Sequence, residues 1–537
     1  MRAIQTVTSV LLVVLVTVAA AQEHQHGTDA ATLGVVDFPN SCQPAARAVF
    51  NRAVAWLHSF EFKSAIDAFN ETLKADPSCA IAEWGIALSR WNNPMAAMIR
   101  PPAQLQQGRA AVDRARAVGA RTERERGYIE AVARLYTDFE RISQADRLAA
   151  YRDAMGALAA AYPDDTEASI FHALAITAAA APTDKTYAAQ LQAGAILEKL
   201  FAKQPNHPGL AHYIIHTYDV PALAGRAIDA AGRYSKIAPS APHALHMPSH
   251  TFTRVGRWQQ SIDANIASAA AARRAGCTSE ELHASDYQAY AYLQTGQDAA
   301  VARLLQTLPE MAARFDPDAI CGAAPGSGGA FALAAMPARY ALERGAWADA
   351  ARLEAKPSRF GYPEAMTYFA RALGGARISD AATVRDAIEH LGQIRDRLTQ
   401  AGEEYWAEQV EIQRVGASAW LAFAEMRHAQ ALDQMRAAAD REDRTEKNAV
   451  SPGPLAPARE LVGEMLLELK KPADALAEFE ATLKREPNRF RAVAGAARAA
   501  ALAGDRATAR KYYDQLLQTC ERADQSGRPE LAEARRR

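Results

Sequence analysis

Residues 46–79, ARAVFNRAVAWLHSFEFKSAIDAFNETLKADPSC, decide the fold. The stretch predicts a helical hairpin, with one helix over 46–59 and a second over 63–74. Asp76-Pro77 ends the second helix, because proline has no N–H to continue the ladder. Counted from Ala46, the marker residues Ala53, Phe62, Ala65, Phe69 and Pro77 stand at positions 8, 17, 20, 24 and 32. Small residues at 8 and 20 let two helices approach, and the aromatic ring at 24 fills the space between them.

The same spacing returns near the C-terminus. From Ala456 it places Gly463, Ala475, Phe479 and Pro487 at positions 8, 20, 24 and 32. From Phe490 it places Ala497, Ala509 and Tyr513 at 8, 20 and 24. Between these ends the helix pairs are degenerate and carry insertions, such as WNNPMAAMIRPP at 91–102 and APTDKT at 181–186. Alanine is abundant and alternating β patterns are scarce, which favours closely packed helices.

This 34-residue grammar resembles the tetratricopeptide repeat, a stacked helix–turn–helix. The chain is similar to exported bacterial members of that family. The resemblance implies an all-α fold, an α-solenoid of hairpins wound as a right-handed superhelix. It also implies a protein or peptide ligand held in a concave groove.

The expected organisation starts with a signal peptide at 1–21. Arg2, the apolar run VTSVLLVVLVTV (7–18) and Ala19-Ala20-Ala21 give cleavage near Ala21 and a periplasmic or secreted product. The apolar run is too short for a membrane span, so none is expected in the mature chain. A flexible leader follows at 22–40, then a first array at 41–314 and a Gly/Pro loop at 315–330. A second array at 331–440, an exposed linker at 441–455, a repeat pair at 456–523 and a charged tail at 524–537 complete the chain. The net charge of −1 argues against nucleic acid as a partner. In an oxidising compartment Cys42 can pair with Cys79 and Cys277 with Cys321, leaving Cys520, but spacing alone leaves the connectivity open.

Chemistry concentrates at 207–250, HPGLAHYIIHTYDVPALAGRAIDAAGRYSKIAPSAPHALHMPSH. It carries six of the 13 histidines. His212/His216 and His246/His250 have i,i+4 spacing, which puts each pair on one helix face. The second pair follows the first by 34 residues, so both pairs fall at positions 5 and 9 of their repeats. In the family those positions line the groove. His212, His216, His246, His250 and Asp219 are therefore the expected metal site, with His172, His243, His283 and Asp286 as secondary candidates. Neutral imidazoles suit zinc, copper, nickel or iron. Pro248 interrupts the second pair and decides whether His246 keeps its column. Asn265, at position 24, stands where a large apolar residue is usual.

Neither pair contains the glutamate of a His-Glu-x-x-His protease, and GAAPGSGGA lacks the Lys-Ser/Thr of a phosphate loop. There is no Gly-x-Ser-x-Gly elbow. Glu460 and Glu464 repeat the position 5/9 pattern as a carboxylate pair that can take a cation or basic peptide. Cleavage after Ala21 would expose Gln22-Glu23-His24, a copper or nickel chelate, with His26 adjacent. The sequence is compatible with a metal-binding scaffold, a metal-dependent enzyme using the same histidines, and a metal-free interaction scaffold.

Overall fold

The computed structural model describes residues 32–96, 98–525 and 528–537. The expected signal peptide, its cleavage site, and His24 and His26 lie outside the described residues. Among the described residues the regular elements are helices, and the fold is an all-α solenoid of tetratricopeptide-like hairpins. None of these helices is long and apolar enough to cross a membrane.

The founding hairpin forms as the sequence predicts, from α1 (Pro44–His58) and α2 (Phe62–Ala75). Ala53, Ala65 and Phe69 are fully buried. The Phe69 ring lies where a Cβ on Gly85 of the next helix would stand, 2.1 Å from it. Phe479 plays the same part at the other end, packed over Gly463 and Gly495. The marker positions thus work as one device: a ring on one helix and a missing side chain on its neighbours.

Both disulfides allowed by the sequence are present, Cys42–Cys79 and Cys277–Cys321, and Cys520 is free and buried. The second closes a turn at 315–325. That turn ends earlier than expected, because Gly326-Ser327-Gly328-Gly329 open the helix Gly326–Glu343. Glycine is needed there, since a Cβ on Gly326 would lie 1.9 Å from the Pro317 carbonyl oxygen.

The described part of the leader, the linker expected to be exposed, and the charged tail all pack against the helices. In the leader, Leu33 and Phe38 are buried, Phe38 among Phe50, Trp84 and Tyr128. In the charged tail, Leu531 is buried and Arg528 pairs with Asp298. The linker after 443 is interior, with Asn448, Val450, Ser451 and Leu455 all buried. Its backbone is satisfied by side chains from far along the chain. Tyr287 Oη donates to the Ala449 and Ser451 carbonyls at 3.1 and 3.0 Å. Arg339 donates to the Gly453 carbonyl at 2.8 Å. A loop can be buried only when its polar groups are paired in this way.

Phe479→Ala should remove the ring that three helices share and cost about 3–5 kcal/mol locally. In a solenoid the loss stays near its repeat. Hydrogen exchange should therefore accelerate over 458–519 and leave 44–91 unchanged; uniform protection would contradict the packing.

Candidate metal centre

Three successive repeats build the centre. α3 (Pro208–Thr217) starts on a proline, which fits the first helical turn, and carries His212 and His216. α4 (Pro242–His246) and α5 (Pro248–Arg254) carry His243, His246 and His250. α6 (Thr278–Gln294) carries His283 and Tyr287. Pro248 does not remove His246 from its column. Met247 between the two segments keeps helical angles (φ −54°, ψ −35°). The break costs one backbone bond, and the His250 N–H turns to the Met247 carbonyl at 3.1 Å.

The four expected histidines do not form one group. They divide between two buried trios: His212, His216 and His243, and His246, His250 and His283. In each, one ligand atom per residue lies within 4.8 Å of the other two. The secondary candidates His243 and His283 are thus members of the centre. The rings are interior rather than exposed on a groove, with His212 and His246 fully buried.

Protein acceptors fix the orientation of four of the six rings. His212 Nδ1–H donates to the His58 carbonyl at 2.6 Å, and His243 Nδ1–H to Glu280 Oε1 at 2.9 Å. His246 Nδ1–H donates to Asn265 Oδ1 at 2.6 Å, and His250 Nδ1–H to Asp219 Oδ2 at 2.9 Å. In that tautomer Nε2 carries a bare lone pair. Nε2 of His212, His216 and His243 and Nδ1 of His283 are buried without a hydrogen-bond partner. His246 Nε2 and His250 Nε2 face each other at 3.0 Å.

Burial, together with the neighbouring imidazoles, holds His212, His216 and His246 well below the ordinary histidine range. Burial also lowers His250 to about 4 and His283 to about 3. Around this neutral nitrogen core stand carboxylates. Burial would raise Asp219, but Lys447 and Arg254 hold it well below the carboxylate range. Its oxygens accept from Lys447 Nζ and Arg254 Nε, both at 2.8 Å. Glu61 accepts the His243 backbone N–H, and burial beside Glu280 pushes its carboxyl up to about 8.

Other candidates fall elsewhere. His172 is half-buried against Gly156 and belongs to neither trio. Asp286 pairs with Arg339 at 3.0 Å, which fixes it outside the centre. Glu460 is bidentate with Arg489, and Glu464 is held by Arg377 and Arg491, so this pair is occupied by the chain's own arginines. A third cluster, His58–Glu167–His207, is braced by its own carboxylate, with His207 Nδ1 left buried and unpartnered. Glu167 bridges the two rings at 2.8 and 3.0 Å, and Tyr213 meets His58 at 3.0 Å.

Asn265 explains its own anomaly at position 24: a large apolar residue there could not accept from His246. That mismatch was the sequence signal for it. Glu280 and Lys447 gave none, since each reaches its partner across long sequence separation. Lys447 and Arg254 also line a cavity of about 110 Å³ walled by Phe331, Tyr362, Met366 and Trp406. Asp219 and the Tyr287 hydroxyl stand between those cations and His250.

No family model and no curated protein matches the sequence. Among solved structures, the chain is similar to the human IFIT1 dimer with m7Gppp-AAAA, at 11% identity and a TM-score of 0.36 over 89% of this chain and 96% of that one. The human IFIT1 dimer with PPP-AAAA gives 12% identity and a TM-score of 0.35 over 89% and 95%.

Metal-free protein should be acid-labile. Folded-state histidines held below their ordinary value of 6.5 stay neutral while the unfolded chain takes up protons. Stability is then full above pH 6.5 and falls as the pH drops toward 4, by ~1.4 kcal/mol per pH unit for each such histidine. The urea midpoint in chelator should fall steeply across that window, and a flat profile would contradict the neutral, buried centre.

Proposed function

We propose that the protein is a tetratricopeptide-like scaffold whose interior histidine centre binds a late first-row transition metal. The observation that carries this reading is the 3.0 Å approach of His246 Nε2 and His250 Nε2. Both rings already spend Nδ1–H on Asn265 and Asp219. Two lone pairs then face each other with no proton between them, and burial opposes adding one. A cation at this point removes the conflict. Two nitrogens bound tetrahedrally to zinc lie about 3.3 Å apart, close to the spacing seen.

The donors are neutral nitrogens, with carboxylates only behind them. That set suits zinc, copper, nickel or iron and disfavours magnesium and calcium. The Asp219–His250 and Glu280–His243 pairs have the carboxylate–histidine arrangement that raises ligand basicity. Four unpartnered ring nitrogens cost about 1–3 kcal/mol each when buried, a cost a bound ion relieves. Export to an oxidising compartment is part of the proposal, supported by the two disulfides.

A metal-dependent enzyme is the second reading. Three nitrogens per trio leave a fourth position for water or substrate. The cavity beside Lys447 and Arg254 offers room for a small organic molecule within one carboxylate of the centre.

Protein purified without a histidine tag, or reconstituted with zinc or copper, should hold stoichiometric metal by mass spectrometry. His212→Ala with His250→Ala should lower affinity at least 100-fold while circular dichroism stays helical. Substoichiometric metal after reconstitution, or unchanged occupancy in the double variant, would refute the proposal.

A further inference from the structure

The six histidines are more than one ion needs. Within the first trio the ring centroids lie 4.8 Å (His212–His216), 5.0 Å (His212–His243) and 6.2 Å (His216–His243) apart. Within the second they lie 4.9 Å (His246–His250), 4.4 Å (His246–His283) and 6.2 Å (His250–His283) apart. Across the two trios, His216 and His250 are 5.7 Å apart and His243 and His246 are 5.8 Å apart. The cross-trio spacings fall inside the range found within each trio. The trios therefore meet edge to edge through two pairs of rings.

Each trio also has its own outer support. The His58 carbonyl and Glu280 hold the first. Asn265 and Asp219 hold the second. Shared orienting groups would be the mark of one site with spare ligands. Separate ones mark two sites built side by side.

We infer that the centre is binuclear: one transition-metal ion on His212, His216 and His243, and a second on His246, His250 and His283. This rests on the proposed metal-binding function and adds a second ion to it. Each ion has three neutral nitrogens and one open position. Because the trios abut, a single small anion of hydroxide size bridges the two ions. Charge favours it when both are divalent. Asp219 is already compensated by Lys447 and Arg254, which leaves Glu280 as the anion in contact with a ligand ring. Two divalent ions exceed that charge, so an exogenous anion enters between them, as in other paired-metal sites.

The test is copper(II) and zinc titration of the full chain, with His212→Gln and His283→Gln as probes. These are the outer members: among the six, His212 rings touch only His216 and His243, and His283 touches only His246 and His250. The wild type should bind two equivalents, each single variant one, and the double variant none. With copper(II), the wild-type paramagnetic signal should integrate to far fewer spins than the copper present, because bridged ions couple, and each single variant should recover full intensity. Glu280→Gln keeps the side chain's shape and should weaken one of the two ions about 10–100-fold and spare the other. It serves if the histidine variants do not fold. Saturation at one equivalent, loss of both ions in either single variant, or two uncoupled coppers would overturn the binuclear site and leave the metal-binding proposal standing. No bound metal at all would overturn both.

Discussion

Hydrogen bonds from four imidazole Nδ1–H groups set everything else at the centre. His212, His243, His246 and His250 each give that proton to the protein, to a carbonyl, a glutamate, an asparagine amide and an aspartate. The opposite nitrogens then turn inward, bare and buried. A polar core of this kind is expensive in an alanine-rich solenoid. Burial opposes protonation of His212, His246 and His250, and the inward lone pairs gain little from the fold. The scaffold offsets part of the cost with a ring of ion pairs behind the histidines, Asp219 with Lys447 and Arg254 foremost. In the proposed reading, a bound metal ion offsets the remainder.

The repeat geometry makes that core possible. A displacement of 34 residues brings the same two positions of the first helix to face one another in adjacent hairpins. Pro248 perturbs the ladder without removing helical φ and ψ at Met247, so the second pair keeps its place. The next repeat supplies His283, and the segment after 443 closes over the top with Lys447. Tyr287 ties these layers together. Its ring packs at 4.8 Å from both His246 and His250, and its hydroxyl holds the covering segment.

The hairpins were legible in the sequence because their signals are local: small residues, one ring and one proline at fixed offsets. The paired histidines were legible for the same reason. Their division into two trios was not, because His243 and His283 lie off the repeated columns and join only through packing. The covering segment misled by composition. Its charge and proline content suggest solvent, yet Tyr287, Arg339 and Tyr405 satisfy its backbone from 41 to 162 residues away along the chain. Glu280 and Lys447 have no local sequence mark, since a buried salt bridge or hydrogen bond depends on a partner distant along the chain. Asn265 did leave a mark, as a polar residue in an apolar column.

The most direct measurement is anomalous diffraction from crystals of the protein loaded with zinc or copper, recorded at the absorption edge of that metal. Two anomalous peaks are expected, each about 2.0–2.1 Å from nitrogens of its own histidine trio. An interior without anomalous density, with ordered water on the Nε2 atoms of His212, His216 and His243, would contradict the proposal.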